Sequence, residues 1–159
     1  MQHAIDIRVT VNGERVEARV EPRTHLIDFL REHLDLTGSH AGCEHGVCGA
    51  CSILVDGQMV RGCLMLAVQA DGASVQTIEG LTESGAIAAL QEAFVAHNAL
   101  QCGYCTPGML VAASELLRAN PDPSREEIRE GISGNYCRCT GYHAIVEAVL
   151  SAAATLRKG

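Results

Sequence analysis

Two different periods of hydrophobic alternation run along the chain. In the first half, Ile5, Ile7, Val9 and Val11 alternate with polar residues, Asn12-Gly13 supplies a tight turn, and Val16, Ala18 and Val20 resume the alternation on a return strand. Leu26, Ile27, Leu30 and Leu34 then share one face of a short predicted helix, with Thr24 placed to cap it. Farther on, "SILV", the Asp56-Gly57 turn and "QMVRG" predict a second hairpin, and "SVQTI" a last strand.

From about Thr82 the period becomes helical. Ile87, Leu90 and Phe94 stand at helical spacing, as do Leu110 and Leu117, ahead of which Thr106 is placed to cap and Pro107 suits the first helical position. Ser124 and Glu127 have the spacing of a capping box before a third helix. Ile145, Val149, Ala152 and Leu156 mark a fourth, and all these stripes read as core. The predicted class is α+β: a small mixed-sheet domain over residues 1–78, then a bundle of about four helices over residues 79–159.

Composition narrows the function. With 47% hydrophobic and 19% charged residues the chain is globular in type. Twelve basic against 19 acidic residues give a formal charge of -7, which disfavours both nucleic acid and anionic lipid as partners. No apolar run approaches the roughly 20 residues of a membrane span. The start, "MQHAIDIRVTVNG", alternates where a signal peptide would show a basic end and an apolar block, and it has no twin-arginine pair, so a cytoplasmic location is expected.

Eight cysteines carry the chemistry: Cys43, Cys48, Cys51 and Cys63, then Cys102, Cys105, Cys137 and Cys139. A disulfide framework needs an oxidising compartment, so metal ligation is the better reading. The first quartet is CxxxxCxxC followed, after eleven residues, by Cys63, which is the spacing of a plant-type [2Fe-2S] ligand set. Gly42, Gly46 and Gly49 free the loop backbone to turn N–H groups toward sulfur. Zinc is the rival, although structural zinc sites usually show two short pairs. A Rieske centre would need two histidines, and His45 reads as a solvated loop residue.

The second quartet is CxxC in "QCGYC", 31 intervening residues, then CxC in "NYCRC". Taken alone, it leaves zinc and iron-sulfur both open. Each pair precedes a predicted helix, whose N-terminus would favour thiolates. Arg138, between two of these cysteines, either offsets thiolate charge or faces solvent. Tyr104 and Tyr136 either shield a cluster or simply pack, and His97 and His143 read as surface or core histidines. There is no nucleophilic triad, HExxH or phosphate-binding glycine loop.

Taken together, "GCEHGVCGAC", "LQCGYCTPGM" and "GNYCRCTGY" closely resemble the small iron-sulfur subunit of the molybdenum hydroxylases, the xanthine oxidase family. The resemblance covers nearly the whole chain. It implies a ferredoxin-like β-grasp domain followed by a four-helix bundle, each holding one [2Fe-2S] cluster on its own cysteine quartet. It implies partners too: a large subunit carrying molybdopterin, as the cytosine dinucleotide, and a medium subunit carrying FAD, arranged as a dimer of heterotrimers. Electrons would pass from the pterin to the helical-domain cluster, then to the plant-type cluster, then to FAD, and the chain would be inactive alone. Gln101 and Cys139 are the implied pterin contacts. The expected substrate of the assembly is an N-heteroaromatic compound, ahead of purine, aldehyde or carbon monoxide. The alternative is a free-standing two-cluster ferredoxin, against which the helical half weighs.

Overall fold

A computed structural model describes residues 4–158; Met1 to His3 of the alternating N-terminal stretch, and Gly159, lie outside it. Strands β1 (Ile5–Val11), β2 (Glu14–Val20), β3 (Ser52–Val55), β4 (Gln58–Arg61) and β5 (Ser74–Gln76) form one sheet in the order β2-β1-β5-β3-β4. Among the described residues, only the β1-β5 pairing is parallel. Both hairpins close through two-residue turns. Asn12 and Gly13, and likewise Asp56 and Gly57, all have positive φ, which matches the twist of the strands they join.

Period-two alternation decides which core each side chain enters. Ile7, Val9 and Val11 of β1 are buried with Ile53, Val55 and Val75, and against them lies the one-turn helix α1 (Leu26–Asp28) with the π-helical turn Phe29–His33. Leu54 and Met59 point the other way and pack on the helical core. The β3-β4 hairpin is therefore covered on both faces, and Glu115, from the helical half, accepts the Met59 N–H at 2.9 Å.

The described residues of the second half form the helices α2 (Ile78–Glu83), α3 (Ala88–Ala96), α4 (Thr106–Ala119), α5 (Arg125–Gly131) and α6 (His143–Leu156). The last four are the expected bundle and α2 is a short addition. Their shared core includes Ile87, Leu90, Phe94, Met109, Ile128, Ile145 and Val149. The capping box forms as read, with Ser124 Oγ accepting the Glu127 N–H and Glu127 accepting the Ser124 N–H.

Several local expectations are corrected. Thr24 caps nothing, because α1 begins after His25 and the Thr24 carbonyl is taken by the Ala67 N–H. Phe29, left out of the predicted stripe, is fully buried: it stands three residues after Leu26, an ordinary helical spacing, and its N–H donates to the His25 carbonyl at 3.0 Å, while Leu34, just past the π-helical turn, is only half-buried. Ile5 and Leu156 end their patterns in solvent, at 43% and 55% exposure. Cys105, not Thr106, occupies the cap position of α4.

Candidate metal centres

The first quartet lies on the loop entering β3 and on the turn leaving β4. Val47 N–H and Cys48 N–H both donate to Cys43 Sγ at 3.3 Å. The Cys48 backbone N–H, then that of His45, holds the Cys43 thiol down at about 6, against an ordinary value of 9.0. Cys63 is the opposite case: burial first, then the neighbouring Cys51 thiol, pushes it up to about 11, although the Gly46 N–H draws it partly back. Gly46 and Gly49 adopt positive φ as the loop reading requires. Gly42 does not, and its use is space: a Cβ there would stand 3.1 Å from Cys48 Sγ.

The second quartet joins the start of α4 to the loop before α6. Burial, then the Cys137 thiol, pushes Cys105 up to about 12. Burial is also the largest single influence on Cys137, but hydrogen bonds from Thr140, Cys139 and Cys105 together outweigh it and lower this thiol. Thr140 Oγ1 donates to Cys137 Sγ at 3.1 Å, and the Cys137 N–H donates to Tyr142 Oη at 3.0 Å. The Cys102 and Cys139 sulfurs are 3.5 Å apart, both exposed. Gln101 lies beside them, its Nε2 donating to the Cys139 carbonyl at 3.1 Å. The CxC pair does not sit on a helix N-terminus, since α6 begins only at His143.

In each half the thiols meet in twos. Cys43 contacts Cys48 and Cys51 contacts Cys63; Cys102 contacts Cys139 and Cys105 contacts Cys137. Among the described residues, no three His, Cys, Asp or Glu side chains gather closely enough to hold a single metal ion. Paired thiols fit a binuclear cluster, in which each iron takes two thiolates and shares bridging sulfides with the other. Loop N–H groups already aimed at sulfur fit the charge such a cluster carries.

Neighbouring residues fall into place around these pairs. His45 is exposed, with Nδ1 against the Cys43 carbonyl. His97, Arg138 and His143 are exposed, and His143 stands 3.7 Å from Glu147. Tyr104 and Tyr136 are both about half exposed, and Tyr104 stacks on His40 at 4.5 Å. Asn135, Arg61, Thr140 and Tyr142 escaped the sequence reading. They act through long-range or loop contacts, which leave no periodic or motif signal.

A sheet half and a helical half, each with four paired thiols, define a two-centre iron-sulfur protein. Comparison with known proteins agrees: the 2Fe-2S iron-sulfur cluster binding domain matches residues 9–82, and the [2Fe-2S] binding domain matches residues 77–150. The nicotine 6-hydroxylase small subunit of Paenarthrobacter nicotinovorans is 58% identical over 148 residues, spanning 93% of this chain and 89% of that one. Caffeine dehydrogenase subunit gamma of Pseudomonas sp. strain CBB1 is 54% identical over 152 residues, spanning 94% and 91%. Among solved structures, a chain of quinoline 2-oxidoreductase from Pseudomonas putida 86 superposes with a TM-score of 0.92 at 52% identity, covering 99% of this chain and 98% of that one.

The chain belongs to the small iron-sulfur subunits of the molybdenum hydroxylases. It is a non-catalytic subunit of an oxidoreductase. No helix among the described residues is long and apolar enough to cross a membrane.

Proposed function

We propose that this chain relays single electrons between a molybdopterin-bearing large subunit and an FAD-bearing medium subunit, within a dimer of heterotrimers. Cys43, Cys48, Cys51 and Cys63 hold one [2Fe-2S] cluster, in a domain spanning residues 1–78. Cys102, Cys105, Cys137 and Cys139 hold the other, in residues 79–159. When bound, each cluster supplies a one-electron redox centre between two cofactors that exchange electrons in pairs. The chain's own residues position these centres, shield them from water and set their charge environment.

The observation that carries this reading is where each thiol set reaches the surface. In the helical half the exposed cysteines are Cys102 and Cys139, with Gln101 held against the Cys139 backbone. In the sheet half, Cys51 and Cys63 are buried and the set opens instead along the loop carrying Cys43, Val47 and Cys48. One opening takes electrons and the other delivers them. Gln101 and Cys139 are the contacts for the pterin, whose amide-like edges suit a side-chain amide and a backbone carbonyl. The medium subunit docks at the other loop.

Nicotine, caffeine and quinoline, the compounds in the relatives' names, all contain nitrogen heterocycles, which supports an N-heteroaromatic substrate for the whole enzyme. Specificity resides in the large subunit. The test is recovery of the untagged chain from its host under anaerobic conditions. Co-purification with two larger polypeptides, substrate-dependent reduction of both cluster signals, and no turnover by the isolated chain are expected. Recovery of the chain alone, or turnover without partners, would overturn the proposal.

A further inference from the structure

The two thiol sets are joined by a buried polar cluster at the place where their loops approach each other. At its centre is Asn135, 2% exposed and two residues before Cys137. Its Nδ2 donates to the Gly49 carbonyl at 3.0 Å and the Gly108 carbonyl at 2.9 Å, and lies 3.2 Å from Ser52 Oγ. Gly49 is on the first cysteine loop, between Cys48 and Cys51, and Gly108 is on the first turn of α4, just after Cys105. One amide thus ties three cysteine-bearing segments together.

Arg61 holds that amide from the far side. Its Nη2 donates to the Gly134 carbonyl at 2.7 Å and lies 3.4 Å from Asn135 Oδ1, while Nη1 donates to Ser52 Oγ. The backbones around the clamp meet too closely to admit side chains. A Cβ on Gly49 would stand 2.6 Å from the Gly134 carbonyl oxygen, and one on Gly108 would stand 2.3 Å from that of Gly49. Next to the clamp, the Tyr136 N–H donates to the Cys48 carbonyl at 2.8 Å. Cys48 of one set is therefore one hydrogen bond from Tyr136, which is covalently joined to Cys137 of the other.

On the two-cluster reading above, we infer that Asn135, locked by Arg61, is a positioning residue that fixes the spacing and relative orientation of the two cages and preserves the Cys48–Tyr136 hydrogen bond between them. The side-chain amide is the right group because its N–H groups meet backbone carbonyls from two other segments while its oxygen meets a guanidinium. No other neutral side chain of that size offers both. An electron crossing here leaves one cluster oxidised and the other reduced, with no proton or further reactant. Its rate depends on the distance and bonded path that the clamp sets.

The test is low-temperature EPR of the full-length chain, isolated anaerobically with its clusters and fully reduced with dithionite. Two reduced clusters each carry an unpaired spin, and their magnetic interaction splits both signals in a distance-dependent way. In Asn135→Ala with unchanged iron content, both signals should persist with the splitting reduced or lost. Arg61→Met should narrow it in the same direction. Asn120→Ala, whose exposed amide bonds only locally to Glu127 and the Asp122 N–H, should leave it unchanged. Unaltered splitting in Asn135→Ala overturns the inference. If that variant fails to load both clusters, Arg61→Met decides, and unaltered splitting there overturns it. Absence of one signal from the unsubstituted chain would instead sink the two-cluster reading itself.

Discussion

Replacing Thr140 with valine removes a hydrogen bond to one cysteine sulfur and the acceptor of the Tyr142 N–H. The hydroxyl donates to Cys137 Sγ at 3.1 Å in a partly buried setting, and valine preserves the side chain's shape. A hydrogen bond to a charged group contributes about 1.5–3 kcal/mol. The midpoint potential registers only the difference between the two redox states. The added electron is spread over irons, sulfides and four thiolates, so about 0.5–1 kcal/mol of differential stabilisation is expected, a fraction of the whole bond. For a one-electron couple, where about 1.4 kcal/mol corresponds to 59 mV, that is roughly 20–40 mV.

The sign follows from charge. The reduced cluster is the more negative, the donor stabilises it, and Thr140→Val should lower the potential of the helical-half cluster. The cluster proposed for Cys43, Cys48, Cys51 and Cys63 should not move. Thr140→Ser keeps the donor and should restore the potential. The Tyr142 N–H loses its acceptor in the valine variant, so folding is checked by circular dichroism. The assay is an EPR-monitored redox titration of the full chain. A potential that is unchanged or raised in Thr140→Val, with both signals intact, would show that the Thr140 hydroxyl does not stabilise the reduced cluster.

Cys48→Ser should abolish the plant-type EPR signal and spare the other, and Cys105→Ser should do the reverse; loss of both in a folded protein would show that the clusters do not assemble independently. Gly49→Ala must place a Cβ at φ +76 and 2.6 Å from the Gly134 oxygen, so denaturant unfolding should show destabilisation beyond the ~1–2 kcal/mol of the left-handed conformation alone. Phe94→Ala, at a 1% exposed site in the helical core, should cost about 3–5 kcal/mol by the same measurement. The Ser124 backbone N–H, then its hydroxyl, holds the Glu127 carboxyl below its ordinary value. That contribution is present above the unfolded-state value and is lost as pH falls through the folded one. Thermal melts of Glu127→Gln should therefore fall less steeply than wild type over that acid range.

Much of this was legible in the chain. Alternation placed β1 and β2, because a half-buried strand writes its period directly into sequence, and short apolar runs bounded by turn residues placed the other three strands. The grouping of the eight cysteines into two sets, which the structure brings together, was legible because residue type and spacing are both written in the chain. What escaped is non-local. Asn135 finds its acceptors 27 and 86 residues away, so its role exists only after folding. Leu156 continues its stripe perfectly and still faces solvent, because the bundle ends before it does.

Anaerobic purification of the full-length chain, followed by iron and acid-labile sulfide analysis with EPR of the reduced protein, tests the central claim most directly. Iron and sulfide in equal amounts, sufficient for two clusters per chain, and two distinguishable signals of equal intensity are expected. A colourless protein containing zinc without iron, or one with a single signal and half the metal, would contradict it.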